Sequence, residues 1–589
     1  MAVTRSTAAE RDRGPAAALF QPFRWRTMEL IALVAASVVI LAAIYLTYNG
    51  RVAREEETSK PPLNLLSVER REQLIPYLTA LPSAAERDFA ARKIFERVRD
   101  GSSLPNVGAL GRIRVPVREI FANRGLTDLH NRAKDITGDR ATATLPLLTG
   151  AQLSGIKPQF VVRTLNQYRR QLILWSVIFF AGFYAVHVFW TFRRARSSWF
   201  VLPAIHLLAG TGLVLMITLR DPLRDTLTFA DFIQGAAMGC VAMAGASVID
   251  YRRVAGRLSF VWLIAAFALS IALIIFGSGP TGSDAKVNLL GFQPAELIRI
   301  LIVLFLAGYF ADRWQLLRVL REERVELARV SKWVEVPRLE YLMPVLAGVV
   351  VSLAFFFFQR DLGPALLIAA LFLSLYAVAR DRYLFAAAGF ALILAGFVGG
   401  YMIGYPRTVS SRVAMWLTPW DNAVRGGEQV VQALWAMASG GIFGEGLGLG
   451  TPEIMPAAHT DLILAVLGEE WGLIGVIGVF ALYAGLVWFG IRTALRSRSD
   501  YSFFLGLGLT LSVALQVALI AGGVLDLLPL SGVVLPFLSY GRTALIVNFA
   551  VFGVLVSLSN EAAGTKESER ESFHASTRAV AIVLGVFCV

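Results

Sequence analysis

LILAVLGEEWGLIGVIGVFALY, residues 462–483, is the stretch that decides the fold. A helix needs roughly 20 apolar residues to cross about 30 Å of hydrocarbon, and this run supplies them. Glu469 and Glu470 are its only charged residues, and comparable apolar blocks recur along the chain. Only α-helices and closed barrels satisfy their backbone polar groups in lipid, and blocks of this length indicate helices. The sequence therefore predicts an all-α polytopic membrane protein.

Composition supports the same class. Hydrophobic residues make up 56% of the 589 positions and charged residues 17%, with a mean hydropathy of +0.59. A soluble domain cannot hide that much apolar surface. The net charge of +13 comes largely from short basic loops between apolar blocks, which favours membrane topology over a nucleic-acid partner. Two cysteines, Cys240 and Cys588, cannot build a disulfide framework.

The apolar blocks predict about twelve spanning helices. Residues 1–27 form a basic tail before the first block, which is long and lacks a cleavage site, as in an uncleaved signal anchor. If this tail is cytoplasmic, nearly every basic loop falls on the same side, including 313–338 with its seven Lys or Arg residues, and both termini are cytoplasmic. The predicted spans are 28–48, 171–192, 199–219, 229–249, 258–277, 294–312, 340–358, 363–379, 383–403, 462–490, 502–522 and 541–558.

The segment 49–170 is the only long polar insert, and this topology places it outside. It predicts helices near 67–79 and 83–99, the second with Ser83 as its cap and Glu86 completing a capping box. Its apolar content is low and it shows no set of catalytic residues, so we expect a small, modest, non-catalytic domain. The tail 561–589 ends in an apolar stretch too short to span a membrane, and no function is assigned to it.

A second outside segment, 404–461, is rich in Gly, Pro and charge, and it is predicted to be a large functional loop. Its stretch 429–443 is apolar and predicts a short helix dipping into the membrane interface. The glycine run 440–450 lacks the Lys-Ser/Thr of a phosphate-binding loop and has no neighbouring strand. A tight, close-packed re-entrant turn is the better interpretation.

Three acidic residues at the end of this loop and in the helix after it are candidates for chemistry. Asp461 immediately precedes the apolar run, so it either caps that helix or presents a carboxylate to a substrate head group at the membrane boundary, and both roles are compatible. Glu469 and Glu470 lie some 12 Å deeper, at about 1.5 Å per residue. Each needs a partner or water there, so a structural pair with an arginine and a direct chemical role both remain open.

Four motifs make the chain resemble one family. PEIMPAAHTDLILAVLGEEWGLIG (452–475), Gln293-Pro294-Ala295-Glu296 followed by Arg299, Arg360-Asp361-Leu362-Gly363, and LPLSGVVLPFLSYGRTAL (528–545) occur in the expected order. They resemble the signatures of the SEDS family, the RodA/FtsW/SpoVE-type peptidoglycan polymerases. The resemblance covers roughly residues 200–560. It implies a core of about ten helices at 199–560, to which residues 28–192 add two helices that flank the insert.

The resemblance implies that Asp461 is the essential carboxylate, the base that deprotonates an acceptor hydroxyl. Three arginines of the loop, Arg407, Arg412 and Arg425, are candidate phosphate clamps, with Arg412 favoured; the alternative for each is a solvated charge. Glu296 and Arg299 are expected to form an intramembrane ion pair. Asp361 is expected to shape the cavity, and His459 and Gln429 are further candidate substrate contacts.

The chain departs from the family pattern at three motif positions. Arg360 stands where proline is usual, Arg542 replaces the second glycine of the last motif, and Ala457 replaces a glutamate. The departures at Arg542 and Ala457 fall in the motifs expected to form the site. Either could alter how the substrate is handled or how the protein is regulated.

The implied function is polymerisation of lipid II, the undecaprenyl-pyrophosphate-linked disaccharide-peptide, at the outer face of the bacterial cytoplasmic membrane, for cell shape or division. A class B penicillin-binding protein is the expected partner, since nothing in the chain resembles a transpeptidase. No organic cofactor is expected; a divalent cation, Mg²⁺ or Mn²⁺, could share the leaving-group role, although no ligand cluster demands one. The alternatives are a flippase for lipid-linked precursors and a non-enzymatic scaffold for cell-wall enzymes.

Overall fold

The structure is a computed structural model, and it describes most of the chain. Three predicted features lie wholly or largely outside the described residues: the span 340–358, most of the basic stretch 313–338, and the tail 564–589. The described residues are 15–56, 62–100, 104–123, 125–134, 143–195, 198–254, 258–279, 288–289, 291–319, 347, 350, 354, 361–380, 384–405, 407–421, 424 and 426–563.

Helices dominate the described part of the chain, as the apolar blocks predict. Eleven of them are long and apolar enough to cross a membrane: all except α2 to α5, α9, α14 and α15 in the numbering that follows. In chain order they are α1 Pro15–Glu56, α2 Ala84–Arg99, α3 Val117–Ala122, α4 Thr127–Lys134, α5 Gly150–Ile156, α6 Leu165–Phe192, α7 Val201–Thr218, α8 Thr228–Ala246, α9 Tyr251–Val254, α10 Ser259–Phe276, α11 Pro294–Val319, α12 Leu362–Arg380, α13 Leu384–Ile403, α14 Arg407–Leu417, α15 Gly427–Gly440, α16 Ile463–Leu495, α17 Asp500–Val524 and α18 Arg542–Ala563.

Four short strands, all within the insert, form two small sheets among the described residues. β1 (Leu63–Asn64) pairs in parallel with β4 (Phe160–Val161), with Leu63 opposite Phe160. β2 (Arg114–Pro116) pairs antiparallel with β3 (Thr144–Pro146), with Val115 opposite Leu145. The first pair ties the start of the insert to its end.

The described residues fall into two compact units. The membrane unit comprises those within Met1–Ile44, Ile178–Met216 and Asp231–Val589, and the insert unit those within Tyr45–Val177 and Ile217–Ala230. This division differs from the predicted boundaries at 28–192 and 199–560. Parts of α1 and α6 belong to the membrane unit, and the loop between α7 and α8 belongs to the insert unit.

Buried polar contacts explain why α1 and α6 are part of the membrane unit. The Ser37 hydroxyl of α1 lies 3.1 Å from the Tyr184 hydroxyl of α6 and 3.1 Å from Nε2 of His206 on α7. Glu29 of α1 lies 2.7 Å from Nδ1 of His187 on α6. Buried polar groups in lipid need such partners, so these contacts hold α1 and α6 together and join α1 to α7.

In the membrane unit, α11 packs against α10, α12 and α17, and α17 in turn packs against α16. α17 is buried over most of its length, whereas α13 is almost entirely unburied and bears exposed Leu392, Leu394 and Met402. An apolar helix exposed in this way faces lipid.

The insert unit has a larger core than its composition indicated. The N-cap prediction for α2 is confirmed, because the Ser83 hydroxyl accepts a hydrogen bond from the Glu86 amide at 3.0 Å. The capping box is wrong, because the Glu86 carboxylate instead accepts from the Asp128 amide at 2.6 Å. The helix predicted at 67–79 is also wrong: short 3-10 turns at Arg71–Gln73 and Ile75–Tyr77 occupy that stretch. The buried hydrophobic cluster of the insert unit includes Leu65, Leu74, Leu78, Phe89, Ile94, Val107, Leu110, Val115, Ile120, Leu129 and Phe160.

The insert binds the loop 217–230 through its backbone. The amides of Val107 and Val162 donate to the carbonyls of Arg224 and Leu223 at 2.9 and 3.0 Å. Arg163 donates to the carbonyls of Pro222, Asp225 and Pro105 at 2.9, 2.5 and 2.9 Å. The loop is therefore an element of the insert's own structure, although it belongs to the sequence of the predicted core.

We expect Arg163→Ala to loosen the insert unit. The substitution removes three charge-assisted hydrogen bonds and leaves three carbonyls without that donor, which costs about 2 kcal/mol. Hydrogen exchange should therefore accelerate at 104–110 and 220–226. Arg71→Ala is the control, because Arg71 makes only an exposed pair with Glu72 and such pairs contribute little. Equal exchange in the two variants would refute the role of Arg163.

Candidate active site

Asp461 lies in the turn that leads into α16. Ala457 adopts a left-handed backbone with φ of 54°, and its carbonyl accepts from the amides of Thr460 and Leu462 at 3.0 and 3.4 Å. The capping interpretation of Asp461 is wrong: Leu462 is the N-cap residue, and no side chain caps the helix. The helix end therefore does not use the carboxylate, and Asp461 as a residue is half-buried.

The segment 539–540 holds the backbone just before Asp461. The Tyr540 amide donates to the His459 carbonyl at 2.7 Å, and the Ser539 hydroxyl donates to the Thr460 carbonyl at 2.7 Å. The rings of His459 and Tyr540 meet edge to face with centroids 5.6 Å apart. His459 thus contacts the last family motif, and its two neighbours place Asp461.

Arg412 is the cation of the site. It lies on α14, and its guanidinium donates to the Leu530 carbonyl. Its Nη2 would be only 3.1 Å from a Cβ at Gly532, a residue whose φ of 73° also favours glycine. The turn LPLSG, residues 528–532, thus binds Arg412 through a backbone carbonyl. The positive charge of Arg412 acts on both Asp361 and Asp461.

Burial raises the pKa of both carboxyl groups. For Asp361, at the start of α12, burial raises the pKa to about 7; Arg412 opposes this rise, and Asp461 and Glu296 add to it. For Asp461, burial raises the pKa, while Arg412 and the Thr460 hydroxyl lower it in part. Two interacting carboxyls with one guanidinium are the kind of arrangement that tunes an acid or base near neutral pH.

Glu296 and Arg299 form an ion pair of 2.9 Å inside the bundle. The Gln516 side-chain amide donates to both Glu296 oxygens at 3.3 Å. Arg299 donates to the Asn548 side-chain oxygen at 3.1 Å. The pair therefore joins α11 to α17 and α18. The charge of Glu296 also helps to raise the pKa of Asp361.

Glu469 and Glu470 are both buried in the first half of α16. One Glu469 oxygen accepts from the Thr451 amide at 2.6 Å, so Glu469 holds the preceding loop, and within the described ranges it forms no ion pair with an arginine. The carbonyls of Glu469 and Glu470 accept from the amides of Glu445 and Gly446 at 2.8 and 3.3 Å.

The glycine run forms the tight turn that the sequence predicts. α16 is kinked at Gly472, whose φ is 65° and ψ −168°. A Cβ at Gly472 would lie 2.5 Å from the Ile442 carbonyl oxygen and would also clash with the Gly444 amide nitrogen. The predicted short helix at 429–443 is present as α15, which ends at Gly440. The chain then folds back onto α16.

The other candidate residues are not brought to the carboxylates. Arg407 is exposed at the first position of α14, and Gln429 is half-buried on α15. Neither has a side-chain hydrogen bond with Asp361 or Asp461 within the described part of the chain. Arg425 lies outside the described residues. The described ranges also contain no group of three or more His, Cys, Asp or Glu residues able to hold a metal ion.

Sequence reasoning missed several contacting residues. Gln516 and Asn548 are fully buried amides within membrane helices, and a polar side chain in a span is a signal that could have found them. Ser539 and Tyr540 lay within a motif already recognised. The role of the Leu530 carbonyl could not be predicted from the sequence, because every residue has a backbone carbonyl.

These features define a class: a multi-pass α-helical membrane protein with a carboxylate–guanidinium site at the ends of its membrane helices. The family model described as "Cell cycle protein" (FTSW_RODA_SPOVE) matches residues 196–564. Since the match exceeds half of the chain, the protein belongs to this FtsW/RodA/SpoVE family, also called SEDS.

Relatives and a solved structure agree with this assignment. The chain is 31% identical over 437 residues to "Peptidoglycan glycosyltransferase RodA" of Mycobacterium leprae (strain TN), which covers 72% of this chain and 91% of the relative. It is 32% identical over 342 residues to "Probable peptidoglycan glycosyltransferase FtsW" of Geobacter metallireducens, covering 56% and 84%. A chain in a structure described as "Structural coordination of polymerization and crosslinking by a peptidoglycan synthase complex" shares the fold, with a TM-score of 0.50, 23% identity, and coverage of 63% and 99%.

Proposed function

We propose that this protein is a peptidoglycan glycosyltransferase that polymerises lipid II into glycan strands. The observation that carries the proposal is the placement of Asp361 and Asp461 just before two membrane helices, with Arg412 fixed on the Leu530 carbonyl and its charge lowering the pKa of both carboxyl groups. A substrate with a lipid tail and a pyrophosphate head presents its reacting atoms at that depth. The relatives named as peptidoglycan glycosyltransferases support the same activity.

In the proposed reaction, Asp461 is the base. Its carboxylate takes the proton of an acceptor sugar hydroxyl, whose oxygen then bonds to the anomeric carbon of the donor sugar. The bond from that carbon to the pyrophosphate oxygen breaks, and the electron pair leaves with undecaprenyl pyrophosphate. The proton on Asp461 is then released to solvent. Arg412, fixed by the Leu530 carbonyl, stabilises the charge that develops on the departing pyrophosphate.

The remaining site residues have supporting roles in this proposal. Asp361 is proposed to shape the cavity, and its carboxyl group interacts with that of Asp461. His459 and Gln429 are proposed substrate contacts, and Arg407 and Arg425 are proposed to attract the pyrophosphate from the rim of the site.

A divalent cation is compatible with these residues. With both carboxylates ionised, Asp361 and Asp461 exceed the single charge of Arg412, so Mg²⁺ or Mn²⁺ beside a pyrophosphate would find oxygen ligands there. Such an ion would neutralise leaving-group charge.

The proposed setting is the bacterial cytoplasmic membrane, with both termini cytoplasmic and Asp461 at the outer face. The support is the basic residues in the loops at the opposite ends of the helices, such as Arg193, Arg194, Arg252 and Arg253. The proposed partner is a class B penicillin-binding protein, which would cross-link the strands.

The test is polymerisation of purified lipid II by the full-length protein, alone and with a class B penicillin-binding protein. We expect glycan strands that a muramidase digests. A protein that moves lipid II across vesicle membranes without making strands is a transporter. One that does neither but still binds the penicillin-binding protein is a scaffold.

A further inference from the structure

Asp231 stands at the start of α8, outside the motifs that define the family resemblance. Its Oδ2 accepts a hydrogen bond from the Tyr540 hydroxyl at 3.3 Å, and its Oδ1 lies 3.6 Å from Nη2 of Arg542. Arg542 also lies 3.5 Å from the Gln234 side-chain oxygen. One carboxylate on α8 thus contacts both side chains that flank Gly541.

Tyr540 connects this carboxylate to the turn that carries Asp461. Its hydroxyl contacts Asp231, its ring contacts His459, and its amide donates to the His459 carbonyl. Ser539, the preceding residue, fixes the Thr460 carbonyl. The two residues before Asp461 are therefore both held by a segment that is itself held by Asp231.

α8 is a firm anchor for this contact. A Cβ at Gly235 would lie 3.1 Å from the Arg542 Cα, and one at Gly239 would lie 2.6 Å from the Phe549 ring. The two glycines allow α8 and α18 to approach closely, as small residues do between membrane helices. The backbone at Asp231 is therefore fixed in place, so a shift of the Tyr540 side chain would break its contact with Asp231.

We propose that Asp231 is a positioning residue for Asp461 and acts through the Tyr540 hydroxyl; the proposal rests on the proposed function of Asp461. Arg542, which replaces a usual glycine, supplies a counter-charge to Asp231. Because its side chain is about half exposed, this pair adds less than the Tyr540 hydrogen bond.

The test combines kinetics with hydrogen exchange in the full-length protein. Asp231→Ala and Tyr540→Phe should each lower kcat for lipid II polymerisation about tenfold with KM within about twofold, since a misplaced base slows chemistry more than binding. The double variant should be no slower than the slower single variant, because both substitutions break one contact. Asp231→Asn keeps an acceptor for the Tyr540 hydroxyl and should recover most of kcat, and Arg542→Gly should lower it less than threefold.

Exchange at residues 457–462 should accelerate in Asp231→Ala and Tyr540→Phe. It should stay unchanged in Asp250→Ala, a control that removes an exposed aspartate just beyond the other end of α8. This readout is independent of activity. If the wild type makes no strands but exchange still accelerates in the two variants, the positioning contact is retained and only the proposed function is overturned.

Three results would overturn the positioning role. The first is unchanged exchange at 457–462, and the second is a rise in KM at unchanged kcat. The third is an Asp231→Asn variant as slow as Asp231→Ala. That result would show that Asp231 acts through its negative charge on the dipole of α8 and not as an acceptor for Tyr540.

Discussion

We expect Asp461→Asn to reduce lipid II polymerisation at least about 100-fold while leaving the fold intact. The amide occupies the same volume but cannot accept the proton of the acceptor hydroxyl, and general-base catalysis contributes about 10²–10⁴-fold. Asp461 does not cap α16, so its replacement leaves the helix end unchanged. The measurement is the initial rate of strand formation by purified protein, with the thermal unfolding temperature as the check on folding.

Asp526→Asn is a matched control, since Asp526 lies at the same end of the bundle, just after α17, with a left-handed φ of 58° that asparagine also tolerates. We expect that variant to retain its rate. Normal polymerisation by Asp461→Asn would show that another group is the base.

The pH dependence of the wild type follows from the same carboxyl groups. Because burial raises the pKa of Asp461 and that of Asp361 to about 7, the base is lost at a higher pH than for an ordinary aspartate. Activity should therefore rise with pH up to the neutral range. Stability has the opposite sign: the neutral carboxyl of Asp361 is favoured on folding, so its contribution is full below the pKa of an unfolded aspartate and is lost as the pH rises through about 7.

We expect Arg412→Ala to reduce polymerisation about 100-fold at neutral pH, the usual cost of removing one preorganised charge-stabilising donor. Two effects add. The pyrophosphate loses its guanidinium, and the pKa of Asp461 rises further because Arg412 no longer lowers it. The acid limb of the pH–rate profile should therefore move to higher pH, and part of the lost rate should return in alkaline buffer.

Two variants on the same helix calibrate this result. Arg412→Lys keeps the charge but loses the planar fork that reaches both the Leu530 carbonyl and a phosphate, so an intermediate rate is expected. Arg407→Ala removes an exposed cation that, among the described residues, forms no hydrogen bond or ion pair with Asp361 or Asp461, so it should have a smaller effect. A pH–rate profile in Arg412→Ala identical to that of the wild type would remove Arg412 from the site.

Several membrane helices could be predicted from the sequence with close boundaries, although the first predicted span, 28–48, is much shorter than α1, Pro15–Glu56. The block 462–490 became α16, Ile463–Leu495, and the block 502–522 became α17, Asp500–Val524. Hydrophobic length is a property of consecutive residues, so it is readable locally. The insert was harder, because its 3-10 turns and short strands carry no strong periodicity and depend on a shared core.

The sequence by itself determined that the chain crosses a membrane many times. Its motifs singled out Asp461, Asp361 and the Glu296–Arg299 pair, and Arg412 was favoured among three arginines of the outer loop. Only the tertiary structure decided how they meet. It placed Arg412 on the Leu530 carbonyl, tied the turn before Asp461 to Ser539 and Tyr540, and gave the loop 217–230 to the insert. The physical reason is that these contacts join residues far apart in the chain through backbone atoms, and backbone carbonyls and amides are the same in every residue.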